Sequence, residues 1–196
     1  MERESTVRFL EYYGKIHRDG AAQLLEWLKG SDFFEAPAST KYHLAVPEGL
    51  CIHSMHVYER VRALYQAEKK AELTEAEEEK LAVIGLLHDV CKAEVYRQEI
   101  KHRKNANGKW EDYTGYGVDY SDFPVGHGEK SVIRLLQWGV ELRDDEILAI
   151  RWHMNAWDLA DGPDARGNYG AASDKCPLLA ILVAADGLAA HIQEAK

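Results

Sequence analysis

The sequence predicts an all-α bundle carrying one small β-hairpin, and its patterning supplies the reasons. Apolar residues recur at the three- and four-residue spacing of a buried helical stripe in segment after segment. One stretch, about 95–116, abandons that period, and it surrounds the tight-turn pair Asn107-Gly108. With 196 residues, 46% hydrophobic and 29% charged, the chain is long enough for one domain with a substantial core.

Taken in order, Val7–Ile16 and Ala21–Leu28 read as two short helices parted by Asp19-Gly20. Ser31–Gly49, with Pro37 and Pro47, reads as a loop. A longer helix is expected over Leu50–Ala67, with His53, Val57, Val61 and Leu64 on its buried stripe. Thr74 and Glu77 have the spacing of a capping box, which starts a helix leading to His88 and leaves Glu75–Glu79 as its solvated first turns. The hairpin follows, flanked by Ile100–Arg103 and Lys109–Tyr113, and Gly115–Gly126 is a loop. Helices are then expected over His127–Trp138, over Asp144–Trp157 with Asp144 as N-cap, and over Pro177–Ile192 with its proline at the first turn. Asp161–Ser173 is rich in glycine and reads as another loop.

A net charge of -9 disfavours long nucleic acid as a partner, because that affinity rests on cations facing phosphates. A small anionic substrate remains compatible if a metal supplies positive charge locally. Three cysteines, Cys51, Cys91 and Cys176, show no CxxC spacing, and Cys51 and Cys91 read as small buried residues. No signal-like apolar segment follows Met1, and the longest apolar run, Pro177–Ala185, is too short for a bilayer. The expectation is a cytoplasmic protein with no membrane contact, and assembly of identical copies is compatible with it.

The chemistry centres on His88-Asp89, which closes the apolar run Leu81–Leu87. Leu81, Ile84 and His88 share one helix face, so the imidazole points toward the core and a carboxylate follows it there. An unpartnered buried carboxylate costs several kcal/mol, and a divalent ion relieves it, since imidazole and carboxylate both ligate first-row metals. His53 lies on its helix's apolar stripe, His153 follows Ile147 and Ile150, and His127 sits between two glycines at a helix start. Asp186 is the one charge in Pro177–Ala190. Singly, each histidine reads as a core or surface residue; jointly they call for a metal. His56, nearer Arg60, is the weaker candidate on its helix, and His17, His102 and His191 read as surface or hairpin residues.

The order His53, His88-Asp89, His127, His153, Asp186 resembles the HD-domain metal-dependent phosphohydrolase superfamily, signature H…HD…D. The local contexts are Gly49-Leu50-Cys51-Ile52-His53-Ser54 and Leu86-Leu87-His88-Asp89-Val90-Cys91-Lys92. Tyr42-His43-Leu44 leading to His53 is similar to the HD domains of bacterial exoribonucleases. Phe123–Ser131 and Ala149–Met154 resemble small single-domain HD proteins of bacteria and phages.

The resemblance implies an HD-domain helical bundle over 1–196, with N-terminal helices (5–30) packed on a metal-binding core of about 42–192. It implies that His53, His88, Asp89 and Asp186 hold a first divalent transition metal (Mn, Fe, Co, Ni or Zn). Asp89 would bridge to a second ion on His127 and His153, with a shared hydroxide attacking a small, nucleotide-like phosphate ester. In that frame Asp89, Lys92 and His43 are the catalytic candidates, and Lys92, His43, Lys130 and Arg151 the contacts to substrate charge. Lys92 reads equally as an exposed lysine outside that context. Tyr113, Tyr116 and Tyr120 would stack on a base or brace a loop. Two other readings use the same ligands: a di-iron oxygenase of the HD fold, and a regulatory domain that binds a nucleotide without turning it over.

Overall fold

The structure is a computed structural model and describes residues 3–155 and 163–195. Its helices are α1 (Glu4–Tyr13), α2 (Ala21–Gly30), α3 (Gly49–Lys69), α4 (Glu75–Leu87), α5 (His127–Gln137), α6 (Asp144–Trp152), α7 (Pro163–Lys175) and α8 (Pro177–Leu188). Between α4 and α5 an antiparallel pair, β1 (Tyr96–Lys104) and β2 (Trp110–Val118), forms the only sheet among the described residues. The all-α bundle with one inserted hairpin is therefore the observed architecture. No single helix among the described residues is long and apolar enough to cross a membrane.

Helix α3 runs through the middle, packed on α1, α4 and α8. Its stripe is as the periodicity requires: His53, Val57 and Val61 are buried, and Leu64 packs at the margin. Leu81, Ile84, Leu86 and Leu87 of α4 join Phe9, Leu24, Phe33, Leu135, Ile150 and Leu182 in one continuous core. Helix α4 starts on the expected capping box: the Thr74 hydroxyl accepts from the Glu77 N–H, and Glu77 accepts from the Thr74 N–H at 2.8 Å. The acidic turn that follows is not simply solvated. Glu78 pairs with Arg62, and Glu79 accepts from the His17 backbone and pairs with Arg18, so this turn is held to its neighbours.

Two glycines set how closely the helices approach. A Cβ on Gly85 would lie 2.5 Å from the Tyr58 Cα, so only glycine lets α4 rest directly on α3. A Cβ on Gly128 would lie 2.2 Å from the Arg151 carbonyl oxygen, which seats the start of α5 against the end of α6.

Several expectations change. Asp161–Ser173 was expected to be a loop, but 163–173 belong to helix α7; Asp161 and Gly162 lie outside the described residues. Pro163 and Asp164 suit a helix start, and packing of Ala172 into the core with Tyr169 against Trp152 outweighs the propensity cost of Gly167 and Gly170. Asp144 is the first residue of α6 and not its cap; Arg143 holds that position, its N–H donating to Glu146 at 2.8 Å. Helix α6 stops at Trp152, short of the expected Trp157, which lies outside the described residues. The hairpin turn is wider than a two-residue loop: Asn105 Oδ1 accepts from the N–H groups of Asn107 and Lys109, with Gly108 at φ +73°. The last expected helix divides into α8 and a π-helical turn, Ala189–Gln193.

Candidate metal centre

Each of the six proposed ligands is carried to one place by a different piece of local structure. His53 projects from the interior of α3, and Asp186 from α8. His88 and His153 are the C-caps of α4 and α6, and His127 is the first residue of α5. Asp89 follows His88 in a non-helical conformation (φ -106°, ψ 16°), its carboxylate facing the four histidines, ahead of the 3-10 turn Val90–Lys92. Asp89 Oδ1 lies 2.5 Å from His127 Nε2 and 3.5 Å from His153 Nε2. Its Oδ2 lies 3.5 Å from His88 Nε2 and 3.6 Å from His53 Nε2, and Asp186 Oδ1 is 3.2 Å from His53 Nε2. One carboxylate thus faces two halves of a cluster, one oxygen to each.

The cluster is buried, and its hydrogen bonding is incomplete in a specific way. His53, His88 and His153 have 0–2% of their surface exposed, and the Nε2 atom of each has no hydrogen-bond partner. Their Nδ1 atoms are engaged: His88 with the Gly85 carbonyl at 2.9 Å, His153 with the Ile150 carbonyl at 2.7 Å, and His53 with Glu194 at 3.1 Å. A ring whose Nδ1–H is donated presents an Nε2 lone pair, the arrangement that outer contacts impose on metal-ligating histidines. Unsatisfied buried ring nitrogens are costly, and three of them surrounding a buried carboxylate fit a cation in their midst. The donor set of imidazole nitrogens and carboxylate oxygens suits a divalent transition metal, and the His53–His88–Asp89 and His88–His153–Asp186 groups each lie within ligating reach of one another.

The electrostatics register the demand for positive charge in another form, since neighbouring acidic groups raise His53 and His127 toward imidazolium, a proton that a bound cation would displace. Burial pushes the His88 pKa down to about 4, so this ring is neutral and free to ligate. Burial also opposes charge on His53, but Asp186 and Glu194 outweigh it and hold the value at about 9. His127, equally opposed by burial, is raised to about 10 by Cys91 and Asp89. Despite its burial, Asp89 is held well below the carboxylate range by Lys92, His88 and His127. The carboxylates draw positive charge into an otherwise apolar core.

An HD-domain family model matches residues 50–191. The chain belongs to the HD-domain family. The match runs from Leu50 in α3 to His191 within the π-helical turn, and so includes all six residues described above. No curated protein and no solved structure matches the chain. HD domains are in general hydrolases that bind divalent metals, and the His/Asp cluster of this HD domain fits such a site.

The other predicted residues fall in different places. Lys92 Nζ lies 2.6 Å from Asp89 Oδ2 and donates to the Ala38 carbonyl at 2.9 Å, so it is a partner of the Asp89 carboxylate and not an exposed lysine. His43 stacks on His53 with ring centres 4.7 Å apart, and its buried Nε2 has no partner; burial pushes its pKa down to about 4. Lys130 lines a cavity of about 300 Å³ that opens from His127, Cys91 and Lys92, walled by the hairpin base and the segment 119–125. Of the three tyrosines only Tyr120 lines it, while Tyr113 lies beneath Arg103. Arg151 is not brought to the cavity: its guanidinium pairs with Glu129 and stacks over the Trp152 ring.

Two contacts were not anticipated. Cys91 Sγ lies 3.3 Å from His127 Nδ1, and its position two residues from Asp89 was the available signal. Glu194 approaches His53 and His56, and nothing in the local sequence separates it from a solvated terminal acid.

Proposed function

We propose that this HD domain, spanning 1–196 with α1 and α2 packed on its core, is a cytoplasmic metal-dependent phosphohydrolase acting on a small, nucleotide-like phosphate ester. The observation that carries the reading is the set of three buried Nε2 atoms without a hydrogen bond around Asp89, whose neighbours His127 and Lys92 line a cavity that also contains Lys130. His53, His88, Asp89 and Asp186 would hold one divalent ion, and Asp89, His127 and His153 a second. Bound there, such ions supply Lewis acidity, activating water and offsetting charge on phosphoryl oxygens.

The chain's own residues divide the remaining work. Asp89 offers one oxygen to each half of the cluster and ties the two together. Lys92 stays cationic because Asp89 outweighs the effect of its burial, and it stands where cluster meets cavity, positioned for a phosphoryl oxygen. Lys130 adds a second cation along the same wall. Val95, Val118, Phe123 and Val125 form an apolar lining for the organic part of the ester and exclude water from it. About 300 Å³ is at the small end of ligand cavities, which favours a small ester over a polymer, as does the net charge of -9.

The test is elemental analysis of the purified protein followed by a phosphatase and nucleotide screen with manganese or cobalt. Two equivalents of transition metal per chain with phosphate release support the proposal. Absence of metal binding after reconstitution overturns it. Iron with substrate-dependent consumption of oxygen, and no phosphate release, reassigns the chemistry.

A further inference from the structure

We propose that Glu194, beyond the residues the family signature covers, is the positioning carboxylate for His53, which makes the C-terminal turn part of the metal centre. The inference rests on the reading of the cluster as a metal site.

Each of the three buried rings needs an acceptor for its Nδ1–H. The last carbonyls of a helix have no intrahelical partner. His88 and His153, as C-caps, therefore reach back three residues to the carbonyls of Gly85 and Ile150. His53 stands inside α3, five residues into a helix that runs from Gly49 to Lys69, where the carbonyls nearby are spent on the helical ladder. Its Nδ1 needs an acceptor from elsewhere in the chain, and the described structure supplies Glu194, with both carboxylate oxygens 3.1–3.2 Å away.

The turn that carries Glu194 is built to deliver it. After α8 the chain widens into the π-helical turn Ala189–Gln193, and the Glu194 N–H donates to the Ala189 carbonyl at 2.9 Å. Such turns are rare and recur at functional sites. Arg60 of α3 donates to Gln193 Oε1 at 3.0 Å and pins the turn to the helix that bears His53. The Glu194 side chain has no exposed surface, and its second imidazole contact, His56 Nδ1 at 2.8 Å, completes its surroundings. A carboxylate buried this deeply is costly unless paired, and both of its partners are imidazoles on one face of α3. Removing the outer carboxylate of a ligating histidine typically lowers metal affinity about 10–100-fold.

The experiment is zinc titration of the full chain, wild type against Glu194→Ala, Glu194→Gln and His56→Ala, with proton NMR of the imidazole N–H region of the zinc-loaded proteins. E194A is expected to weaken at least one zinc-binding step by about 10–100-fold and to lose the His53 Nδ1–H resonance, while those of His88 and His153 persist. E194Q, which keeps an acceptor without the charge, is expected to fall between E194A and wild type. H56A is expected to stay within about twofold of wild type, because the His53 contact remains. If E194A does not fold, E194Q decides. Zinc affinity and the His53 resonance both unchanged in whichever variant decides overturn the proposal while leaving the metal site in place. Failure of the wild type to bind zinc overturns the metal reading and this inference with it.

Discussion

Gly85→Ala tests the packing that brings His53 and His88 together. An added Cβ would meet the Tyr58 Cα at 2.5 Å and its amide nitrogen at 3.1 Å, whereas ordinary contacts of this kind begin near 3.4 Å. The atoms it meets are the Tyr58 backbone and its Cβ at 2.9 Å, none of which a rotamer change moves, so α3 and α4 must part by roughly 1 Å. In an open helical site the same change would stabilise by up to about 1 kcal/mol, since alanine is the better helix former. Overpacking of a well-filled core costs about 1–3 kcal/mol, so the net expectation is a loss of about 1–2 kcal/mol. For a chain of this size that lowers the Tm by roughly 2–8 °C. Because His88 follows Gly85 on α4 and donates to its carbonyl, the zinc affinity should fall as well. Gly170→Ala supplies the opposite sign: nothing lies within 4 Å of the added Cβ on exposed α7, and the expectation is a gain of about 1 kcal/mol. Thermal and denaturant unfolding of the two variants give the answer. Equal stability gains in both would refute the close approach of α3 and α4.

Asp89→Ala is expected to abolish metal retention and turnover together, and full metal stoichiometry by elemental analysis would remove its bridging role. His127→Ala is expected to lose one ion selectively. Arg18→Ala leaves Glu146, whose side chain has no exposed surface, without its bidentate partner at 2.6 and 2.9 Å. A loss of about 3–5 kcal/mol by denaturant unfolding is expected, and replacing both residues by methionine should recover most of it; a change under 1 kcal/mol would contradict the pairing. Burial opposes ionisation of Glu78 and Glu79, but Arg62 and Lys15 hold Glu78, and the His17 N–H and Arg18 hold Glu79, below the ordinary 4.5. Carboxyls lowered in the folded state contribute stability that is complete above that unfolded value and is lost as pH falls from it through the lower folded-state one. The Tm should therefore drop from about pH 5 downward, and Glu79→Gln should flatten that drop; an unchanged slope in the variant would count against the assignment.

The legible part of this protein was what repeats at short range. The stripe His53, Val57, Val61 announces α3, Thr74 with Glu77 announces the start of α4, and Asn107-Gly108 announces the hairpin. Each rests on forces within one or two turns of chain, which sequence spacing encodes directly. His53, His88, Asp89, His153 and Asp186 stood out for a related reason: a histidine or aspartate on an apolar face needs a partner, and the sequence shows the face. His127 stood out by its flanking glycines, and the resemblance to HD domains implied the six as one ligand set. Helix α7 was missed because its glycines argue locally for a loop, while the contacts that decide it, Ala172 in the core and Tyr169 on Trp152, come from distant residues.

The sequence by itself determined an all-α chain with one hairpin and a His/Asp set demanding a cation. Only the tertiary structure decided that Asp89 divides its oxygens between two groups of histidines, that Lys92 is bound to that carboxylate, and that Arg151 turns away to Glu129. Only it brought Glu194 across 141 positions to His53. Side-chain direction at a helix end or a π-helical turn depends on which carbonyls lack partners and on what packs against them, and both follow from the assembled fold.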